Sequence, residues 1–213
     1  MVIGATADLH GYLPPIPEGL DVLLIAGDIG AYQGENLESF KGFSSTLDDF
    51  AEWMVQAECP VIGVAGNHDF TFERDPQIPL DLPWHYLLDS SVEIGGLLFH
   101  GSPWVPNLPQ WAFHAESEDA LAEKFALIPT NTSVLLTHGP PFGIGDQVRS
   151  GERVGSEALN RRLFEHHADS LKLHVFGHIH EGGGVRTGPC ANVSYVGRDY
   201  TPNLEIQVFE IDP

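Results

Sequence analysis

The fold of this chain is best indicated by the stretch VIGVAGNHD at residues 61–69, where an apolar run gives way to a glycine and three polar side chains. The apolar run has the character of a strand that is buried on both faces of a sheet. Gly66 then allows a tight turn, so Asn67, His68 and Asp69 follow directly after the carboxyl end of the strand. An apolar strand that ends in chemically active side chains is the pattern that organises the rest of the sequence.

The same pattern occurs at four other places along the chain. Each apolar run ends in residues that include aspartate, histidine or glycine, and helical patterns lie between the runs. Strands that alternate with helices predict an α/β protein with mixed sheets, in which ligands bind beyond the carboxyl ends of the strands. The other predicted strands are Val2–Ala7, Val22–Ala26, Val134–Thr137 and Leu173–Phe176.

Beyond these strands, the sequence predicts three helices, a hairpin and a C-terminal strand. The helices follow from apolar residues at a spacing of three to four, the hairpin from a Gly-Gly turn, and the strand from alternation. No repeat or linker interrupts the chain, so we expect a single domain covering residues 1–213. The predicted elements are a helix from Leu37 through Met54, helices Glu116–Leu127 and Ser156–His166 with Ser156 as N-cap, a hairpin at Glu93–Leu98 and a strand at Leu204–Ile211.

Composition and charge restrict the partners. The chain carries 10 Lys+Arg against 30 Asp+Glu, a formal net charge of −20. Nucleic acids and anionic membrane surfaces bind proteins that present a basic face. We therefore expect neither nucleic acid nor a membrane as a partner, and a nuclease is disfavoured.

The cysteine content and the first residues predict a cytoplasmic protein. Cys59 and Cys190 are far apart and have no metal-binding spacing, which fits a reducing compartment. The first predicted strand runs straight into Asp8, so we expect no signal peptide, and no apolar run is long enough to span a membrane. The sequence leaves open whether the protein is a monomer or a dimer.

The polar residues at the five strand ends suit a pair of divalent cations. Such ions need carboxylate oxygens, neutral imidazoles and one oxygen ligand that touches both ions. Asp8 and His10 are two residues apart, as are His178 and His180, and in extended backbone both members of such a pair point the same way. Two ions roughly 3.5–4 Å apart can activate a bridging hydroxide and clamp phosphoryl oxygens. The candidate metal ligands are Asp8, His10, Asp28, Asn67, His138, His178 and His180.

A phosphate ester is the substrate class that fits this set. Two divalent cations, two aspartates and a hydroxide leave about one net positive charge, which suits an anionic ester. His68, with an ordinary pKa of about 6.5, is a candidate acid for the leaving alkoxide, and Asp69 is a candidate to orient it. Asn67, His68 and Asn192 are the candidate substrate contacts.

Taken in order, these motifs resemble the calcineurin-like metallophosphoesterase superfamily. Three further stretches are similar to its metallophosphoesterase-domain-containing (MPPED-type) branch, and the resemblance covers nearly the whole chain. The superfamily motifs are Asp8-x-His10, Gly27-Asp28, Gly66-Asn67-His68-Asp69, His138 and Gly177-His178-x-His180, and the further stretches are Gly101–Trp104, Thr137–Pro141 with Gly145-Asp146, and His174–Gly182.

The resemblance implies a four-layer sandwich, in which two mixed sheets are flanked by helices. It implies a metallophosphodiesterase acting on small, cyclic-nucleotide-like diesters, with His68 as the catalytic acid. Mn²⁺ is the favoured metal, and Fe, Co, Ni and Zn suit the same ligands. One ion would be held by Asp8, His10, Asp28 and His180, and the other by Asp28, Asn67, His138 and His178, with Asp28 bridging.

Two other functions stay open on the sequence. A phosphomonoesterase would use the same ions and differ in pocket walls that the sequence does not reveal. An interaction scaffold with this fold would lack metal ligands or the acid, and this chain keeps both. Phosphoprotein substrates are disfavoured, because no Asp-Arg-Gly extension follows the second motif at Asp28.

Overall fold

The computed structural model describes residues 1–30, 40–106, 108–166 and 170–212, with the backbone alone for residues 40–46 and 166. Strands and helices are interspersed along these residues. A short 3-10 helix also occurs at His180–Gly182. The strands are β1 Val2–Thr6, β2 Val22–Ala26, β3 Val61–Val64, β4 His85–Tyr86, β5 Ser90–Ile94, β6 Leu97–Ser102, β7 Val134–Thr137, β8 Leu173–Phe176, β9 Arg186–Thr187, β10 Cys190–Asn192 and β11 Gln207–Glu210, and the helices are α1 Phe40–Val55, α2 Phe70–Arg74, α3 Gln77–Leu80, α4 Glu118–Phe125 and α5 Glu157–His166.

Two mixed sheets form the centre of the fold. The first has the strand order β11-β1-β2-β3-β4, in which the edge strand β11 is antiparallel to its neighbour and the other pairs are parallel. The second has the order β5-β6-β7-β8-β10-β9, with antiparallel pairs at both edges and parallel pairs between them. The five predicted strands are β1, β2, β3, β7 and β8, all in parallel pairs and almost entirely buried, which explains their continuous apolar sequences.

The two sheets pack face to face through buried apolar side chains. Leu24 and Val64 belong to the first sheet, and Phe99, Leu136 and Val175 belong to the second, and all five are fully buried. Burial of this set removes a large apolar area from water, which stabilises the contact between the sheets. The strand ends that carry the candidate ligands are thereby fixed relative to one another.

Helices cover the outer face of each sheet. Phe50 and Trp53 of α1 pack against the first sheet, while Phe125 of α4 and Leu159 of α5 pack against the second. The result is the four-layer arrangement that the resemblance implies. The predicted first turn of α1, from Leu37, lies outside the described residues. None of the described helices combines the length and apolar character needed to cross a membrane.

Helix and strand ends differ from the predictions by a few residues. Helix α4 is shorter than predicted because Ser117 caps it, its Oγ accepting a hydrogen bond from the N–H of Ala120 at 3.1 Å. Ser156 does cap α5, since its Oγ accepts from the N–H of Leu159 at 3.1 Å. The predicted hairpin is confirmed as β5–β6, whereas the C-terminal strand begins only at Gln207.

Candidate metal centre

The carboxyl ends of the strands from both sheets meet at one edge of the fold. Ala7 joins the sheets there, because its N–H donates to the carbonyl of Val193 at 3.0 Å and its carbonyl accepts from the N–H of Tyr195 at 2.8 Å. In the second sheet, the N–H of Gly177 donates to the carbonyl of His138 at 3.0 Å. Backbone hydrogen bonds between loops therefore hold the candidate ligands of different strands in one place.

Four of the candidate ligands have left-handed backbone conformations. The φ angles are 53° at Asp8, 44° at His10, 55° at Asp28 and 69° at His178. The extended backbone predicted for Asp8–His10 and for His178–His180 is therefore wrong, because these residues lie in turns, although Asp8 and His10 do contribute to one group. Left-handed conformations outside glycine cost about 1–3 kcal/mol each, so surrounding contacts must hold them in place.

One group of candidate ligands lies where β1 and β8 end. Nε2 of His180 is 3.5 Å from Oδ1 of Asp8 and 3.4 Å from Nε2 of His10. The ligand atoms of these three residues lie within 4.8 Å of one another, close enough to hold one metal ion. Two imidazole nitrogens that face each other beside a buried carboxylate are a donor set that suits a borderline divalent cation.

A second group lies where β3, β7 and β8 end. Oδ1 of Asn67 accepts from Nε2 of His138 at 2.9 Å and from Nδ1 of His178 at 2.7 Å. Nδ1 of His138 donates to the carbonyl of Ala26 at 2.8 Å, which directs the opposite ring nitrogen toward the site. His178 and His180 thus belong to different groups, although they are two residues apart in the sequence.

Asp28 lies between the two groups and is only 1% exposed. Its Oδ2 is 3.7 Å from Nε2 of His10, and its Oδ1 is 3.4 Å from Nε2 of His138. Asp8, Asp28 and His138 also place ligand atoms within 4.8 Å of one another. The structure therefore brings all seven candidate ligands together, with nitrogen and oxygen donors facing a shared space.

The electrostatic environment keeps Asp28 ionised, and it lowers the pKa of some histidines while it raises that of His138. Burial lowers the pKa of His10 to about 4 and that of His178 to about 3. Burial would raise the pKa of Asp28, but the charges of His138 and His68 outweigh it and hold this pKa well below its usual range. At His138, burial lowers the pKa, whereas the negative charge of Asp28 and its hydrogen bond to His138 raise it. The second effect is larger, so the pKa of His138 rises to about 9. A cation bound here would displace the proton of His138.

Two glycines of the motifs are required because carboxylates of other strand ends lie directly against their backbone. A Cβ atom at Gly66 would collide with Oδ1 of Asp28, and a Cβ atom at Gly177 would collide with Oδ2 of Asp8. Any larger residue at either position would push a carboxylate out of place. The glycines therefore allow the carboxylates of one strand end to lie against the backbone of the next.

Asp69 holds the loops after β2 and β3 together. Its fully buried carboxylate accepts from the N–H groups of Asp28 and Gly66 at Oδ2, at 2.9 and 2.7 Å, and from those of Ile29 and Gly30 at Oδ1, at 3.0 and 3.3 Å. Both oxygens are occupied by backbone donors. Direct orientation of the His68 ring, which the sequence predicts for Asp69, does not fit these contacts.

His68 lies beside Asp28 on the solvent side of the site. Its Nε2 is 3.8 Å from Oδ2 of Asp28, and 13% of its side chain is exposed, against 1% for His10. The N–H of His68 donates to Oδ1 of Asp28 at 2.8 Å. Asp69 accepts the N–H of Gly66 in the loop that carries His68, so it affects the position of His68 through the backbone of that loop. His68 also forms a third possible metal-binding group with His10 and Asp28.

Two aromatic residues that the sequence analysis missed border these histidines. The ring of Trp111 lies 4.3 Å from that of His68, between ring centroids. The ring of Tyr200 lies 4.8 Å from that of His10 and 4.9 Å from that of His180. Neither aromatic residue belongs to a motif, and no spacing in the sequence indicates its position.

Asn192, which the sequence analysis predicts to contact the substrate, lies in the interior of the protein. Its side chain is fully buried, and its Nδ2 donates to the carbonyls of Gly145 and Ile179 at 3.2 and 2.9 Å. Its Oδ1 accepts from the N–H and the hydroxyl of Ser194 at 3.0 and 2.7 Å. All of its hydrogen-bonding capacity is used inside the protein, so the predicted substrate contact does not fit this arrangement.

We expect Asp69→Ala to lower both the stability and the metal content of the protein. The substitution would leave buried N–H groups without acceptors, at a cost of about 1–3 kcal/mol for each. Chemical denaturation and metal analysis of the purified variant measure the two effects. Asp49→Ala, at an exposed position of α1, is the matched control and should change stability by no more than about 0.5 kcal/mol. A stable Asp69→Ala protein with full metal content would contradict this role.

Comparisons with known proteins agree with this geometry. The family model described as calcineurin-like phosphoesterase matches residues 1–182. The human Metallophosphoesterase domain-containing protein 1 is 34% identical to this chain, over 92% of this chain and 66% of its own length. UPF0046 protein T07D4.2 of Caenorhabditis elegans is 43% identical, over 87% of this chain and 52% of its own length. The chain therefore spans only part of the length of these relatives.

A solved structure supports the fold independently of close sequence similarity. The protein TT1561 of Thermus thermophilus superposes with a TM-score of 0.54 at 16% identity, over 83% of this chain and 80% of that chain. The fold, the family match, the relatives and the convergent Asp and His groups lead to one conclusion. This chain belongs to the calcineurin-like phosphoesterase family, a family of metal-dependent phosphoric ester hydrolases.

Proposed function

We propose that this chain is a binuclear metal-dependent phosphodiesterase acting on small diesters of the cyclic-nucleotide type. The observation that carries the proposal is the position of Asp28. One of its carboxylate oxygens lies 3.7 Å from Nε2 of His10, and the other lies 3.4 Å from Nε2 of His138. A carboxylate that presents one oxygen to each of two histidine groups is suited to be shared by two neighbouring cations.

Under this proposal, each cation would have four protein ligands, and Asp28 would belong to both sets. The ligands are carboxylate, amide and imidazole groups without sulfur, which suits Mn²⁺ and also Fe, Co, Ni and Zn. We propose Mn²⁺ as the metal. The first set is Asp8, His10, Asp28 and His180, and the second is Asp28, Asn67, His138 and His178.

In the proposed chemistry, the cations and the side chains of this protein have separate roles. When bound, two such cations polarise phosphoryl oxygens and lower the pKa of water. His68 would hold a proton at a ring nitrogen on the accessible side of Asp28 and donate it to the departing oxygen of the ester. Asn67, next to His68, would contact the substrate from the same loop. Asp69 would position this loop through its backbone hydrogen bonds.

The charge of the centre is compatible with a small diester as the substrate. Two divalent cations, the carboxylates of Asp8 and Asp28 and a deprotonated water leave about one positive charge. A diester carries one negative charge, whereas a phosphate monoester carries about 1.5 to 2 at pH 7. A small monoanionic diester therefore matches the charge of the centre.

We further propose that residues 1–213 form one domain, which works in the cytoplasm on a small-molecule ester. Both cysteines, the half-buried Cys59 and the buried Cys190, are free thiols. Free thiols are typical of a reducing compartment.

The role of Asp28 is tested by Asp28→Ala. We expect the variant to lose both metal ions and all turnover, because Asp28 belongs to both ligand sets. Metal analysis after dialysis and the rate on an activated diester measure the two losses. Full metal content or full activity would contradict the bridging role. Asp49→Ala again serves as the control for an exposed carboxylate.

The role of His68 is tested by His68→Ala. We expect the variant to keep both metal ions and to lose about 10²–10⁴-fold in kcat, the usual range for a general acid. His85→Ala, at an exposed position of β4, is the matched histidine control. Loss of metal from His68→Ala would instead make His68 a ligand, as its proximity to His10 and Asp28 allows.

Substrate class is tested with protein that is stripped of metal, reloaded with Mn²⁺ and given matched substrates. We expect a higher kcat/KM on an activated phosphodiester than on the monoester with the same leaving group, as the proposed diester substrate requires. Preference for the monoester would identify a phosphomonoesterase. No turnover on either would favour an interaction scaffold.

A further inference from the structure

Two aromatic residues border the metal centre from loops that carry none of its candidate ligands. Trp111 lies between β6 and α4, and Tyr200 lies between β10 and β11. Both residues are half-buried, so part of each stays accessible to solvent. The ring centroids of Trp111 and Tyr200 lie 4.3 and 6.4 Å from that of His68, whose side chain is 13% exposed.

Trp111 packs against His68, and its loop is fixed by further contacts. The ring centroids are 4.3 Å apart and the planes are tilted by 55°, while Phe70 stacks on Trp111 at 5.9 Å. The carbonyl of Trp111 accepts from Nδ1 of His114 at 2.8 Å. The next residue donates its N–H to the carbonyl of Asn67 at 3.1 Å, which ties the Trp111 loop to the loop that carries His68.

Tyr200 is held against His10 and His180 by a tight loop. Its φ angle is 59°, a left-handed conformation that tyrosine rarely adopts. Its N–H donates to the carbonyl of Gly197 at 2.9 Å, and the N–H of Gly197 donates to the carbonyl of Thr201 at 2.8 Å. Backbone strain of this kind is concentrated at functional sites, where surrounding contacts maintain it.

We propose that Trp111 and Tyr200 form an aromatic subsite, which selects phosphate esters whose organic group is a planar aromatic or heteroaromatic ring. The inference rests on the proposed function and deepens it by naming the organic group of the substrate. Trp111 contacts His68, the proposed acid, so its ring borders the space of the departing alcohol. Tyr200 contacts His10 and His180, so its ring borders the phosphoryl group from the side of the first ligand set.

The chemistry of the two rings fits a subsite that binds the organic group while the metal centre binds the phosphoryl group. Planar rings stack on aromatic side chains without requiring hydrogen bonds, so the subsite would accept several aromatic groups. The anionic phosphoryl group would be held by the metal centre, and the neutral ring by Trp111 and Tyr200. Aliphatic esters would gain only the first of these interactions.

The test measures binding rather than turnover, with two phosphonates that the enzyme cannot hydrolyse. Isothermal titration of phenylphosphonate and methylphosphonate into the Mn²⁺-loaded protein compares ligands that share an anionic head and differ in the ring. We expect phenylphosphonate to bind about tenfold more tightly, the range of one aromatic stacking contact. The ratio of the two affinities cancels any general change in metal loading.

Variants then assign the preference to the two rings. We expect Trp111→Leu and Tyr200→Leu each to reduce the affinity ratio, and Trp111→Phe and Tyr200→Phe to preserve most of it because a ring remains. Phe164→Leu, at a position of α5 that is 67% exposed, is the control and should leave the ratio unchanged.

The outcomes separate the two proposals. Equal affinity for both phosphonates, or a preference that survives both leucine variants, would overturn the aromatic subsite and leave the metal-dependent esterase standing. Failure of both phosphonates to bind would overturn the proposed phosphate-ester site together with the subsite.

Discussion

Three aspartate carboxylates, those of Asp8, Asp28 and Asp69, are buried together at one edge of the sheets, and none is more than 1% exposed. Burial of a carboxylate costs several kcal/mol unless other interactions replace its hydration. Asp69 meets part of this requirement with backbone N–H groups, while burial still raises its pKa to about 7, and Asp8 accepts the N–H of His178 at 3.0 Å on both oxygens. Asp28 faces histidines on both sides, and the two cations of the proposed centre would offset its charge.

The backbone around the site follows from the same constraint. Carboxylates and imidazoles from five strand ends can converge only if the chain turns sharply after each strand. The left-handed residues Asp8, His10, Asp28 and His178 provide these turns, and Gly66 and Gly177 leave space for the carboxylates. The strain is sustained because the strands before the turns are buried between packed layers. A rigid sheet core therefore supports loops that would not hold this shape alone.

Much of the fold and of the site could be predicted from the sequence. The five buried parallel strands, the β5–β6 hairpin and the cap of α5 all follow from local patterns, since apolar runs, Gly-Gly turns and capping residues act over a few positions. The residues at the strand ends could also be predicted, because parallel strands direct their carboxyl ends to one edge. Asp8, Asp28 and the histidines after β7 and β8 accordingly lie together in the structure.

The sequence by itself determined the alternation of buried strands and helices and the residue types at the strand ends, because periodicity and residue type are local properties of the chain. Tertiary structure alone decided how those side chains are used. It turned the carboxylate of Asp69 toward backbone N–H groups, enclosed Asn192 in the interior and brought Trp111 and Tyr200 beside His68 and His10. These outcomes depend on the distance between loops that are far apart in sequence, and packing of the two sheets sets that distance.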